Sequence, residues 1–220
     1  MATILASKLV ADAAKLLYDK TKVRWPEDEL LGWLNDAQRQ VVFLKPEANV
    51  VNESISPPTP NGTKWTIPAA GTTFIKVVRN MGADGNTPGK AVKQIDMETL
   101  DCELPDWHSA AVAANADHYA FDDMDPKHFY VYPPTDSKLE IVYSSSPADV
   151  GINDPIAIDD GYANVILDLM LWRAWSKDSQ HANLARASNH YQVALQALGL
   201  REKVEFNLDA QGRDKQKREK

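Results

Sequence analysis

The stretch WPEDELLGWLNDAQRQVVFLKP, residues 25–46, decides the fold. Pro26 suits a first helical position, because its fixed φ and missing N–H cost nothing there. Glu27, Asp28 and Glu29 follow, where the positive end of a helix favours anions. Leu30, Leu34, Ala37, Val41 and Leu44 then recur on one stripe, which Trp33 widens, and Pro46 stops the run. Gly32 is the one weak helix former, read as a point of close helix contact. A single amphipathic helix has half its surface unpaid, so the rest of the chain must supply partners.

The preceding segment supplies one. Residues 4–20 read as a helix with Leu5, Leu9, Ala13, Leu16 and Leu17 on one face. Lys8 with Asp12 and Lys15 with Asp19 have the spacing of ion pairs on its wetter side. Two further helices are predicted near the other end. Asp159 or Asp160 caps one that continues to about Lys177, through Tyr162, Val165, Ile166, Leu169, Met170 and Trp172. The other runs from about Gln180 to Leu198, with Leu184, Ala187, Tyr191, Leu195 and Leu198 on one face and Gly199 as its stop.

Between the pairs the pattern changes. Residues 47–62, ending in PPTPNG, read as a loop. Lys64–Pro68, Thr72–Arg79, Lys127–Tyr132 and Leu139–Ser144 read as strands, with a weaker one over Ala91–Met97. PPTDSK reads as a hairpin link, and NMGADGNTPGK, 80–90, as a loop long enough to project. The segment Leu104–Asp117 fits no single pattern. The predicted class is α+β: a four-helix bundle from the N- and C-terminal helix pairs with an inserted small antiparallel β domain. The boundaries are 1–48 with 150–205 for the bundle, 49–149 for the insert and 206–220 for a flexible, charged C-terminal tail.

Composition narrows the function. The chain has 220 residues, 24 Lys plus Arg, 31 Asp plus Glu and a net charge of −7. That balance argues against a protein that coats duplex DNA, which needs many cationic phosphate contacts, but is compatible with a bore through which DNA slides. The lone Cys102 permits no internal disulfide or cysteine-based zinc site, and reads as a half-buried residue beside Leu104. The mildly apolar start, interrupted by Lys8, Asp12 and Lys15, reads as neither signal core nor membrane span.

The most chemical-looking stretch is DHYAFDDMDPKHFYVYPP, 117–134. His118 and His128 with Asp122, Asp123 and Asp125 would serve a small metal-dependent hydrolase if a cleft gathered them. DDMDP lacks the ligand pattern of a calcium loop and reads better as a turn. No nucleophile elbow, phosphate loop, zinc-protease motif or dinucleotide fingerprint occurs, and no cofactor is expected. Trp25, Trp33, Trp172 and Trp175 read as helix packing, with interface anchoring as the alternative.

VRWPEDELLGWLNDAQRQVVFLKP, then HFYVYPP and LEIVYSSSP, then IAIDDGYANVILDLMLWRAWSKD, in that order, resemble the head-to-tail adaptor proteins of tailed bacteriophages. The likeness covers roughly residues 4–200 and is closest to the tail tubular protein A type of short-tailed phages and related head-completion proteins. It implies a structural virion protein at the head-to-tail interface, assembled in the host cytoplasm. It implies a ring, commonly of twelve subunits, under the portal protein. Genomic double-stranded DNA would pass through without sequence-specific binding, and a tail nozzle or tail fibre protein would attach below. It further implies that the C-terminal segment docks on the portal, through Phe206, Leu208, Arg213, Lys215, Lys217, Arg218 and Lys220. Five cations against Asp214 and Glu219 give the last eight residues a net charge of +3, suited to an acidic groove. Subunit or tail contacts are expected at Trp25, Trp33, Asp84, Asn86, Trp172 and Trp175. The competing readings are a stopper or connector of a long-tailed phage, a DNA-binding module using the basic end, and the hydrolase at His118 and His128.

Overall fold

The computed structural model describes residues 2–177 and 182–199. The architecture is α+β, and the chain divides into two compact units. The residues up to Lys45 and from Pro147 onward make one, and Pro46–Ser146 make the other.

The first unit holds α1 (Ala6–Leu16), α2 (Glu27–Leu44), α4 (Ala163–Ser176) and a helix at 184–199, here α5. α4 is apolar nearly all round and buries Val165, Ile166, Leu169, Met170 and Leu171, as a central helix must. Asp159 caps the 3-10 turn that leads into it by accepting from the Gly161 N–H at 2.8 Å. α1 buries Ala6, Leu9, Val10, Ala13 and Ala14, with Leu17 at its end. Leu5 and Leu16, expected inside, are exposed: the buried stripe is rotated by one position, because it is set by where α2 and α4 lie. Lys15 pairs with Asp12 at 2.8 Å, leaving Asp19 for another task.

Polar side chains fix how the early and late segments meet. Asn35 Nδ2 donates to the Val150 carbonyl at 3.2 Å, and its Oδ1 accepts from the Val150 N–H at 3.0 Å. Gln38, fully buried, accepts from the Ala157 N–H at 2.5 Å. Asp160 accepts from the Thr3 hydroxyl at 2.6 Å and from the N–H groups of Thr3 and Ile4. The backbone groups they hold lie in segments outside any helix or strand ladder, so these bonds specify one register.

α5 lies against α4. Tyr191 packs at a tilt against Trp172 with ring centroids 4.7 Å apart, and His190 Nδ1 lies 2.9 Å from Asp168. Its buried residues are Ala187, Ala194 and Leu198, while Leu184 and Leu195, expected on the inner face, are exposed. Gly199, expected as a stop, is still helical. Gly32 is exposed, with open space where a Cβ would stand, so no close helix contact explains it.

The second unit contains two sheets. β1 (Val50–Ile55), β7 (Leu139–Ser145) and β3 (Gly71–Asn80) form one, in the order β1-β7-β3, all antiparallel. β2 (Lys64–Thr66), β6 (His128–Tyr132), β5 (His118–Ala120) and β4 (Lys93–Gln94) form the other, in the order β2-β6-β5-β4, with β4 and β5 parallel. Trp65, Phe74, Phe129, Val131, Leu139, Ile141 and Tyr143 share the core between them. α3 (Met97–Glu103) and the 3-10 turn Trp107–Ser109 cover the other face of the second sheet, where Leu100, Trp107 and Ala120 are buried.

Several expectations change here. Residues 47–62 are not all loop, since Val50–Ile55 form the edge strand β1. PPTDSK does not link a hairpin: β6 and β7 belong to different sheets, and the segment crosses between them with Thr135 and Ser137 buried. The Ala91–Met97 strand shrinks to Lys93–Gln94, and α3 begins at Met97. Cys102 is exposed rather than half-buried. Gly71 is required by close approach, because a Cβ there would lie 2.6 Å from Ile67 Cδ1 and 2.9 Å from Tyr143 Cδ2.

Candidate functional site

The acidic stretch is a turn between two strands. Asp122 Oδ1 accepts from the Met124 N–H at 2.8 Å, and the Asp125 N–H closes on the Asp122 carbonyl at 3.0 Å. Asp125 accepts from His128 Nδ1 at 2.7 Å, and that bond, ahead of the charges of His128 and Lys64, holds its carboxyl below the ordinary value. His118 faces Tyr132 on β6, while His128 faces Thr66. Four residues separate them along the strand, about 13 Å at strand rise, too far for one ion. Among the described residues no three of His, Cys, Asp and Glu come together as a metal site. The hydrolase reading needs those groups in one cleft, and the sheet holds them apart.

Beside the turn lies an open groove of about 660 Å³. Asp96, Glu98 and Asp101 on the α3 side and Asp122 and Asp123 on the turn give it five carboxylates. Met97, Phe121 and Met124 supply apolar surface, and Met124 is 90 % exposed. Asp101 accepts from Trp107 Nε1 at 2.8 Å, but none of the five is in an ion pair among the described residues. The sequence showed the acidic turn; α3 and its first acid had no clear signal, so the groove was missed.

The 80–90 loop is pinned at its base. Asn80, fully buried, donates to the carbonyls of Lys90 and Ala116 at 2.9 Å each and accepts from the Ala116 N–H at 2.8 Å. Met81 and Gly82 bond to the backbone of Lys138. At the tip Asp84 accepts from the N–H groups of Asn86 and Thr87 and from the Thr87 hydroxyl at 3.0 Å. The Asn86 bond, then the Thr87 hydroxyl, hold its carboxyl below the ordinary value. Asp84 and Asn86 are both exposed. Gly82 and Gly85 take the left-handed backbone that this fold-back requires.

The tryptophans brace the helical unit. Trp25 is buried and meets Trp175 edge-on at 5.9 Å, and the Arg186 guanidinium lies 5.0 Å from the Trp175 ring. Trp172 packs at a tilt against Tyr191 beneath Arg173, and Trp33 is half-buried on α2. Phe206, Leu208, Arg213, Lys215, Lys217, Arg218 and Lys220 lie outside the described residues.

A second feature had no signal in the sequence. α1 ends with the Tyr18 N–H on the Lys15 carbonyl and the Asp19 N–H on the Ala14 carbonyl. This double closure usually places glycine in the left-handed position. Here Tyr18 occupies it, at φ 56°, and is 89 % exposed. Lys22 is left-handed too, also at φ 56°. Asp19 then gathers the chain, accepting from the N–H groups of Val23 at 3.1 Å, Arg24 at 2.7 Å and Trp25 at 3.0 Å. Burial works against the charge of Asp19, but those three donors outweigh it and hold the carboxyl below its usual value.

No described helix is long and apolar enough to cross a membrane. The profile of the SU10 adaptor protein family matches residues 5–216, nearly the whole chain. The curated proteins give no match.

Proposed function

The chain belongs to the SU10 adaptor protein family, and with that as premise we propose that copies of it close into a ring beneath the portal of a filled capsid. It is a phage head-to-tail adaptor, so its partners are portal and tail components. In our reading the ring has twelve subunits, lengthens the DNA channel, helps retain the packaged genome and offers the platform on which a nozzle or fibre protein attaches. Assembly takes place in the host cytoplasm. The narrower assignment, to the tail tubular protein A type of a short-tailed phage, rests on the segment likeness alone.

The observation that carries this reading is a family match running through both units and into the charged end. The bundle of residues 1–48 and 150–205 would stack laterally, one heterologous contact repeating until the ring closes. The insert of 49–149 would carry the tail-side contacts, with Asp84 and Asn86 exposed on its loop and Trp25, Trp33, Trp172 and Trp175 bracing the helical unit. Phe206 and Leu208 would anchor the tail on the portal, with Arg213, Lys215, Lys217, Arg218 and Lys220 meeting acidic residues there.

Mixing the purified chain with its phage's portal ring and imaging the product tests the reading. Rings below the portal, lost when 206–220 are deleted, support it. Normal docking by the shortened chain would remove the portal role of the tail, and absence of any ring would remove the whole reading.

A further inference from the structure

Two surfaces of this chain, one on each unit, carry opposite charge beside exposed apolar side chains. On the helical unit the α1–α2 link exposes Leu16, Tyr18 and Val23, at 52, 89 and 80 %. Lys20, Lys22 and Arg24 alternate with them along the link, Lys22 being paired with Glu27 and Arg24 lying over Trp25 within the field of Asp19. The link is held rigidly by Asp19, yet two of its residues carry a backbone conformation that costs free energy for any side chain with a Cβ. Glycine at position 18 would remove that cost. The tyrosine ring recovers little inside its own unit, because it is nearly all in water. A large aromatic kept in a strained, preorganised, exposed position has the character of a binding anchor.

The sheet unit offers the matching recess. Its groove, about 660 Å³, exceeds an aromatic side chain in volume, has five carboxylates, and presents Met97 and Met124, whose thioethers adapt to an incoming ring. We propose that the α1–α2 link of one copy seats in the acidic groove of a neighbouring copy. Tyr18 and Val23 fill the apolar part, while Lys20 and Arg24 face Asp122, Asp123 and Glu98. The two surfaces differ, so the contact is heterologous, the kind that propagates from copy to copy. The inference rests on the ring reading and names its contact residues.

Cysteine trapping tests it. In a Cys102→Ser background, Val23→Cys chains are mixed with Met124→Cys chains and oxidised. The mixture is expected to give a mixed disulfide well above the dimer formed by either chain alone. Lys20→Glu with Arg24→Glu on the first chain should lower the yield about tenfold, a change of ~1.4 kcal/mol. Asp122→Lys with Asp123→Lys on the second chain should restore it. Tyr18→Gly should keep or raise the melting temperature while lowering trapping. Equal trapping in the mixture and in the single chains, indifference to charge reversal, or full trapping by Tyr18→Gly would each overturn the contact. If trapping fails while the natural chain still forms rings under the portal, the contact is wrong and the ring stands. If trapping succeeds and no ring forms, the contact stands without the ring.

Discussion

Asn35 holds Val150 by both backbone groups at once, donating at 3.2 Å and accepting at 3.0 Å across 115 residues of chain. A carboxamide that copies a strand partner in this way ties the middle of α2 to the segment leading toward α4. Gln38 one turn later accepts from the Ala157 N–H and donates its Nε2 to Asn35 Oδ1.

Replacing Asn35 by Leu keeps the branched outline, adds bulk, and removes both bonds to Val150 and the one accepted from Gln38 Nε2, leaving the Val150 N–H and C=O to find other partners. We expect a loss of about 1–3 kcal/mol, read as a lower urea midpoint with an unchanged slope. A midpoint within error of the natural chain would show that water or a local shift replaces the side chain.

Acid should loosen the clamp on the N-terminus. Bonds from the Thr3 hydroxyl, then from the N–H groups of Thr3 and Ile4, depress the Asp160 carboxyl below its ordinary 3.8. A depressed folded value adds stability that is complete above the unfolded value and disappears as pH falls through the folded one. Asp160→Asn should therefore melt below the natural chain at neutral pH, with the gap narrowing as pH drops below about 4. A gap that stays constant into acid would mean the charge is not what Thr3 recognises.

The alkaline limit lies elsewhere. Burial, followed by the hydrogen bond to Glu53 at 2.7 Å, pushes the Tyr143 phenol up to about 12. A raised folded value adds stability that is full below the unfolded value near 10 and lost as pH climbs toward 12. Burial raises the Tyr119 phenol as well, so tyrosinate absorbance should show late titration from which Tyr143→Phe removes one group. Loss of no late group in that variant would contradict the assignment.

Two glycines should respond in opposite directions to alanine. Gly32→Ala fills open space on an exposed helix and should add about 0.5–1 kcal/mol. Gly71→Ala forces a methyl against Ile67 and Tyr143 and should cost about 1–3 kcal/mol. Thermal melts of the two variants, run side by side, check both signs.

What could be read from the sequence was what depends on neighbours within a turn or two. α2 shows its capping acids and its stripe, β7 alternates Leu139, Ile141 and Tyr143 inward, and DDMDP has turn chemistry. What could not be read depends on distant partners. VVNESI is half polar and becomes a strand only because β7 offers an edge. The stripe of α1 is rotated because α2 and α4 set its inner face. PPTDSK separates two strands that alternate alike, and nothing local says that they join different sheets. Tyr18 escaped notice because a left-handed residue announces itself only when it is Gly or Asn.

Asn49 and Ser145 are bonded to each other twice, at 2.8 and 3.0 Å, at the threshold where the polypeptide passes into the sheet unit and back out. Arrival and departure are therefore side by side, and the residues between belong to the sheet unit. A gene segment cut at that doorway and replaced by another of similar stem spacing would leave the helical threading untouched. On the proposed reading, in which the sheet unit carries the tail-side contacts, exchanging that one cassette would change the tail partner and leave the helical unit as it was.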